Sequence, residues 1–458
     1  MKTAIILAAG AGGKMWPYGV TKNKAVLPIA NRPIIAWQLD ALRANGIDQV
    51  IVVTGYRREQ LAFALAGRDG ITFVEQKGGL GTVPALLSAW PEVAEEQILV
   101  VYGDALITSE DLAALLERHR QSDCIAAALL QPLGKELPND WLCAQVSDER
   151  VRYVLGHPRD NVSHRFCGAF IFDKCFQTFL RRNPGLMQSI QVGMMSPNEA
   201  HLEDSLQLAI EDQQEILAVE AQQVFYDLDK PWHILEANSG WLSYQSTQLT
   251  SDRLGKNAQI SDGATVAGRV SLGENSEIGA GVIVEGNLWV GNNTKIVQGA
   301  IIEPNVSIGN DCIVRRYSQI EAGTSVGDRC VVGHCAEVSG VMMRLSYAYH
   351  YGEYWGVLGE ANDLGAATVC GNLRFDDMQT AHRINGRREI PRSGANAAYL
   401  GDYVRTGVNA IIMPGVKVGP YSIIGAGTIV AEDVPERTLL YVKQEQVRKS
   451  WGPEKYGW

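Results

Sequence analysis

Ala4-Ile5-Ile6-Leu7-Ala8-Ala9-Gly10-Ala11-Gly12-Gly13-Lys14-Met15-Trp16-Pro17 is the stretch from which the rest of the chain can be read. An apolar strand runs straight into a loop with three glycines. Such a loop lets backbone N–H groups approach an anion without side chains in the way. A second segment follows, Lys24-Ala25-Val26-Leu27-Pro28-Ile29-Ala30-Asn31-Arg32-Pro33. Lys14 and Lys24 add two mobile positive charges near the loop, as a triphosphate requires. The plain alternative is a pair of solvated lysines beside an ordinary turn.

Working outward, the first half alternates strand and helix signals. Gln49 to Thr54, Ile71 to Glu75 and Ile98 to Tyr102 read as buried strands. Pro33 to Asn45, Glu59 to Ala66 and Thr82 to Trp90 read as helices between them. This alternation predicts a mostly parallel sheet with helices on both faces, which binds ligands beyond the carboxyl ends of its strands. The glycine loop and Gly103-Asp104 both follow strands, so both fall on one rim.

The second half has a different period. From Ile260 an aliphatic residue recurs every six positions, through Val266, Leu272, Ile278 and Val284 to Val338. A hexapeptide period this long predicts stacked short strands around a narrow prism. Gly340 to Gly356 departs from the count, as does Asn372 to Ala398, and both are expected to be loops ejected from the coil. Leu400, Thr406, Ile412, Val418, Ile424 and Val430 complete the prism. Trp232 to Tyr244 reads as a connecting helix and Gln245 to Lys256 as a polar linker. The expected organisation is therefore 1–231, a connection over 232–256, the coil over 257–435 and a tail over 436–458.

At 458 residues the chain has room for two or three domains, and its 46% hydrophobic and 20% charged residues are those of an ordinary soluble protein. A formal charge of −10 argues against nucleic acid as a partner and offers a membrane surface no basic patch. Eight cysteines without a C-x-x-C pair suggest a reduced, cytoplasmic setting. The apolar run at Ala4 to Ala9 is too short for a signal peptide.

The two N-terminal segments together resemble the fingerprint of the sugar-1-phosphate nucleotidylyltransferases, L-A-A-G-x-G-T-R-M-x-P followed by P-K-x-L-x-P-I-x-N-x-P. Gly13-Lys14 stands where that family has Thr-Arg, and Asn23-Lys24 where it has Pro-Lys. The resemblance implies an α/β Rossmann-like nucleotidylyltransferase domain. Ala8, Ala9, Gly10, Gly12 and Gly13 would bind the nucleotide, with Lys14, Lys24 and Asp104 catalytic. Asp104 would also hold Mg²⁺, which takes one or two carboxylates and keeps several waters. Phe225-Tyr226-Asp227-Leu228-Asp229-Lys230-Pro231-Trp232 resembles the family's W-x-D-I-x-x-P-W. By that match Asp227 is the second metal ligand, with Asp229 on the same strand face as its competitor. Glu75-Gln76-Lys77-Gly78-Gly79-Leu80-Gly81-Thr82 resembles the Q-x-x-x-L-G-T segment that holds a pyrimidine. Gln76, Gly81 and Thr82 are thus candidate base contacts, favouring UTP or dTTP, and Thr82 reads equally as a helix N-cap. The substrates implied are a nucleoside triphosphate and a sugar 1-phosphate.

The sugar pocket matches less well. Members specific for N-acetylglucosamine phosphate carry a Glu on one strand and an Asn before a Gly on the next. Here those stretches read Val154-Leu155-Gly156-His157-Pro158 and Arg165-Phe166-Cys167-Gly168. His157 and Arg159 read as sugar contacts or as an exposed loop pair.

Over both halves the chain resembles the bifunctional nucleotidylyltransferase–acetyltransferases of the archaeal type, on Asn372-Leu373-Arg374-Phe375-Asp376-Asp377 and Ile412-Met413-Pro414-Gly415. That resemblance implies a left-handed parallel β-helix, a homotrimer, and acetyl-CoA as a second cosubstrate. The family's catalytic histidine falls near His350, a candidate general base that reads equally as part of an aromatic plug with Tyr347, Tyr349, Tyr351, Tyr354 and Trp355. Its phosphate-gripping Arg and Lys fall on Glu321 and Ser339. Two competing readings stay open: an acyltransferase whose first domain only binds a nucleotide sugar, and a binding protein without turnover.

Overall fold

The computed structural model of the protein describes residues 1–187, 190–191, 194–195 and 198–455; Tyr456 and Trp458 of the expected tail lie outside the described residues. The opening strand, β1 (Thr3–Ala8), joins β2 (Gln49–Thr54), β3 (Ile71–Glu75), β4 (Gln97–Tyr102), β5 (Ala126–Pro132), β6 (Leu142–Ser147), β7 (Arg150–Gly156), β8 (His164–Asp173) and β9 (Ile216–Glu220). Among the described residues the sheet runs β3-β2-β1-β4-β8-β5-β9-β7-β6. The first four of these strands are parallel, as expected. The rest are not, and the sheet is mixed rather than mostly parallel. β8 runs antiparallel to β4 and β5, and β6 and β7 form a hairpin. That hairpin turns at Asp148 and Glu149 with φ of 52° and 56°, the left-handed pair that matches strand twist.

Among the described residues, seven α-helices flank the sheet or leave it: α1 (Ile34–Ala44), α2 (Arg58–Ala64), α3 (Thr82–Ala89), α4 (Ser109–Arg120), α5 (Gln177–Arg182), α6 (Leu202–Glu211) and α7 (Pro231–Gln248). Leu39 of α1, Leu61 of α2 and Leu115 of α4 pack on one face of the sheet. Leu86 of α3, Leu180 of α5 and Leu206 of α6 pack on the other.

The second half is a left-handed parallel β-helix. Its first strand, Arg253–Leu254, pairs in parallel with Ser271 and Leu272 of the next coil. Pairs such as Ile260 with Ile278 and Val266 with Val284 recur one coil apart. The six-residue aliphatics point inward, and Ile278, Ile296, Val314 and Val332 are fully buried. One corner holds left-handed residues in register, where Asn257, Asn275, Asn293 and Asp311 form a side-chain ladder with links of 3.0, 3.3 and 3.0 Å.

Gly340 to Gly356 is not ejected from the coil. Glu337–Met342 and Glu353–Leu358 are unbroken strands that pair along their length, with Tyr347–His350 between them. A corner is straightened through each glycine, at φ 101° and 142°, so these coils are shorter and the six-residue count slips. A Cβ at Gly356 would overlap the Ala398 carbonyl, and one at Gly340 the Gly356 carbonyl. The second expected loop does leave the coil. It forms a hairpin of His382–Ile384 and Arg387–Glu389 that returns to the first half, where Glu389 pairs with Lys230 and Arg392 donates to the Lys135 carbonyl.

α7 is more than a connection. Its Trp232, Ile234, Ala237 and Trp241 share one buried cluster with Met15, Tyr18 and Ile34 on one side and Val341, Met343, Val357 and Tyr399 on the other. Among the described residues no helix is long and apolar enough to cross a membrane.

Candidate active site

The glycine loop leaves β1 at the rim where β4 also ends. Gly12 sits at φ 63°, and its carbonyl accepts from the Met15 N–H at 2.9 Å to start a short 3₁₀ turn. A Cβ at Gly12 would come within 2.7 Å of the Lys24 side-chain stem. Gly10 and Gly13 instead face open space, since a Cβ at either would meet nothing within 4 Å. Ala8 and Ala9 hold the loop by their carbonyls, which accept from Asn23 Nδ2 at 2.9 Å and from the Tyr56 N–H at 3.1 Å.

Asn23 is a residue whose role the sequence did not disclose. It is 1% exposed and also donates to the Tyr56 carbonyl, while its Oδ1 accepts from the Ala25 N–H at 2.9 Å. It thereby ties the two fingerprint segments together and caps the turn that carries Lys24.

Five charged side chains converge at the rim. Lys24 Nζ lies 2.6 Å from Asp104 Oδ2 and 3.7 Å from Asp229 Oδ1. Lys14 Nζ lies 3.0 Å from Asp229 Oδ2. Tyr226–Asp227 forms a short antiparallel bridge with Ala105–Leu106, which sets Asp227 opposite Ala105 and beside Asp104. Burial alone would depress the Lys24 ammonium, but Asp104, Asp229 and Asp227 outweigh it and hold its pKa above the ordinary value. Burial would likewise raise Asp229, yet Lys24 and Lys14 drive it well below the usual carboxylate range. Asp227 goes the other way: burial first, then the Asp104 charge, push it up to about 7. Among the described residues Asp227 has no ion-pair partner within 4 Å. Asp227, a buried carboxylate beside a second one and without a lysine within 4 Å, has the chemistry of a divalent-cation ligand together with Asp104, which Lys24 also reaches; Asp229 is paired with both lysines.

The expected base contacts are engaged with protein groups. Gln76 Nε2 turns back on its own loop, 3.2 Å from the Gly79 carbonyl and 3.4 Å from that of Gly81. Gly81, at φ 103°, is needed by protein backbone, because a Cβ there would overlap Ala200. Thr82 is the first residue of α3 and does not cap it. Its Oγ1 accepts from the Leu202 N–H at 2.9 Å, satisfying an orphan donor at the start of α6.

A cavity of about 470 Å³ opens beside Lys14, Asp227 and Asp229. Gly156, His157 and Gly168, from the two stretches that match the sugar pocket less well, line it, and so do Trp141, Glu203 and Asp204. Arg159 is exposed and does not line it. Glu203 is 1% exposed and accepts from the Tyr102 hydroxyl at 2.9 Å, and burial raises its pKa. Arg165 lies between the rings of Trp141 and Phe225, 4.4 and 4.9 Å from their centres, and pairs with Glu136. No local pattern marked Glu203 or Asp204, since α6 delivers them from far along the chain.

On the β-helix, His350 sits on a coil strand and not in a loop, with Nδ1 3.0 Å from Nδ1 of His334 one coil below. Glu337 hydrogen-bonds Glu321, and that contact, burial, and the neighbouring Glu353 and Glu303 raise its pKa to about 6. A stack of glutamates therefore occupies the position where the family resemblance would have a phosphate-binding arginine.

The family model described as MobA-like NTP transferase domain matches residues 4–159, and that described as bacterial transferase hexapeptide (six repeats) matches 305–340 and 397–432. The stretch between the last two holds the shortened coils and the inserted hairpin. A bifunctional protein GlmU from Methanococcus maripaludis is 30% identical over 450 residues, covering 97% of this chain and 98% of that protein. Another from Methanococcus vannielii is 26% identical over 452 residues, covering 97% of this chain and 99% of that protein. A bifunctional sugar-1-phosphate nucleotidylyltransferase/acetyltransferase from Sulfurisphaera tokodaii is 28% identical over 436 residues, covering 94% and 98%.

Proposed function

This chain belongs to the family of the bifunctional GlmU proteins, and from that premise we propose that its first half joins a sugar 1-phosphate to UTP or dTTP, releasing pyrophosphate. The observation that carries this reading is the convergence of Lys14, Lys24, Asp104 and Asp227 on the rim beside an open glycine loop. Phosphoryl-type transfer asks a protein chiefly to hold two anions in line and to neutralise charge at the reacting phosphorus. The N–H groups of the loop bind the polyphosphate, with Gly10 and Gly13 leaving it room. Lys14 faces the departing pyrophosphate, and Lys24 steers the α-phosphate toward the incoming sugar phosphate. Asp104 and Asp227 would hold Mg²⁺, which would supply charge neutralisation on the phosphate oxygens. The cavity lined by Trp141, His157, Glu203 and Asp204 receives the sugar.

The test is pyrophosphate release from UTP or dTTP across a panel of sugar 1-phosphates. Asp104→Ala is expected to lower kcat by about 10²–10³-fold. Wild-type rates in that variant refute the reading.

For the β-helix we propose acyl transfer from acetyl-CoA with His350 as base. The glutamate stack at Glu321 and Glu337 favours an amine acceptor without a phosphate at that position. Thiol release from acetyl-CoA with amino sugars, lost in His350→Ala, supports it; equal release in that variant removes it. A homotrimer and a cytoplasmic setting, with all eight cysteines free, belong to the same proposal.

A further inference from the structure

Residues 18–24 are placed by the β-helix as much as by the sheet. Tyr18 is fully buried and donates its hydroxyl to the Val357 carbonyl at 2.7 Å. Thr21 Oγ1 donates to Asp402 Oδ2 at 2.6 Å. Lys22 pairs with Asp402, which is 1% exposed, and lies 3.2 Å from Glu360. Asp402 in turn accepts from the Glu360 N–H at 2.8 Å, and Arg344 closes the cluster at 2.6 Å from Glu360. Burial would raise the Glu360 carboxyl, but Lys22 and Arg344 overcome it and hold it low.

Lys22 therefore spends its charge on the coil. Its neighbours face elsewhere: Asn23 grips the strand ends at Ala8 and Tyr56, and Lys24 pairs with Asp104. Three consecutive side chains thus fasten the β-helix, the glycine-loop strand and the candidate metal carboxylate to one another. The same segment braces the loop from below, because a Cβ at Gly19 would come within 2.5 Å of the Gly12 carbonyl. One residue spans about 3.8 Å between Cα atoms, so a shift at Lys22 has little chain in which to decay before Lys24.

We infer that Lys22 and Asp402 are positioning residues for nucleotidyl transfer: the β-helix, through this buried ion cluster and the Tyr18–Val357 bond, sets the placement of Lys24 and the glycine loop. The first half's active site is complete only with the second half docked on it. A buried charge that loses its partner is strongly unfavourable, which makes the cluster a firm anchor and not an incidental surface pair. This inference rests on the nucleotidyl-transfer reading of the site.

The test uses the full chain. KM for the nucleotide and for the sugar phosphate, kcat, and the thermal midpoint are measured for wild type, Lys22→Met, Lys22→Arg, Asp402→Asn, the Lys22→Met/Asp402→Asn pair, and Tyr18→Phe. Lys22→Met and Asp402→Asn are each expected to raise KM for the nucleotide about tenfold while KM for the sugar phosphate stays within about twofold. The pair should resemble one single variant and not their product, and Lys22→Arg should restore most of the affinity. Wild-type nucleotide KM in Lys22→Met and Asp402→Asn overturns the inference, as does an equal rise in both KM values. Should those variants fail to fold, Tyr18→Phe decides, since it removes one hydroxyl: a severalfold rise in nucleotide KM supports the inference and no change overturns it. If wild type turns over no sugar phosphate, the nucleotidyl-transfer reading has failed by itself. Nucleotide affinity by calorimetry then carries the comparison, and equal affinity across the series overturns the positioning role.

Discussion

Asp227 and Asp229 stand two positions apart, yet their surroundings drive them in opposite directions. Two lysines pair with Asp229, while at Asp227 burial and the neighbouring Asp104 charge outweigh the more distant Lys24 and Arg165. Strand spacing could not separate them, because residues two apart share a face; ion pairing does. Asp227→Asn is therefore expected to raise the Mg²⁺ concentration for half-maximal rate by about tenfold or more, measured by metal titration of initial rates. Asp229→Asn should act instead on KM for the nucleotide, by freeing Lys14. A second titratable group governs stability. His382 accepts from Lys417 at Nδ1, 2.9 Å away, and donates from Nε2 to the Ala395 carbonyl at 2.8 Å. Burial, then the Lys417 charge, lower its pKa to about 4. The native state thus stays neutral where the unfolded chain, with a pKa near the ordinary 6.5, takes up a proton. The His382 contribution is complete above about pH 6.5 and is lost as pH drops toward 4, by about 2 kcal/mol at pH 5 and about 3 kcal/mol at pH 4. Urea melts at pH 7 and pH 5 measure this, and His382→Gln should flatten the difference. At this scale the convergence of Lys14, Lys24, Asp104 and Asp227 on one rim was legible because their order along the chain belongs to a known pattern. Glu203 and Lys22 were not, since their partners lie far along the chain, and Asn23 was not, since Ala8 and Tyr56 are brought to it only by the fold.

Among elements, the β-helix was the most legible, because a narrow prism admits an aliphatic residue only at fixed intervals. Its shortened coils were not, and the reason is local. Straightening a corner at Gly340 and Gly356 breaks the count without breaking the coil, so a strand looked like a loop. Both glycines are required there by positive φ and by the backbone packed against them. Gly356→Ala is expected to cost about 2–4 kcal/mol, read as a lower urea midpoint with an unchanged slope. The sheet shows the opposite limit. Its first four strands follow a clear strand–helix alternation, but the direction of β8 depends on tertiary pairing that no local pattern carries.

For the whole molecule, two coil faces present outward apolar side chains: Ile313, Ile423 and Leu439 on one, and Ile283, Ile411 and Ile429 on the other, all at least 36% exposed. The third face lies under α7 and the first half. Exposed apolar rows of this kind mark association surfaces. Light scattering is expected to give three times the 50.0 kDa of one chain, and charged substitutions at Ile313 and Ile423 should shift that mass down.

The cluster around α7 also bears on how the chain is made. Met15, Tyr18, Ile34 and Trp241 are covered by Val341, Val357 and Tyr399, all of which leave the ribosome much later. During synthesis the early half must wait with a sticky surface uncovered, and such surface invites aggregation or chaperone capture until its own cover emerges.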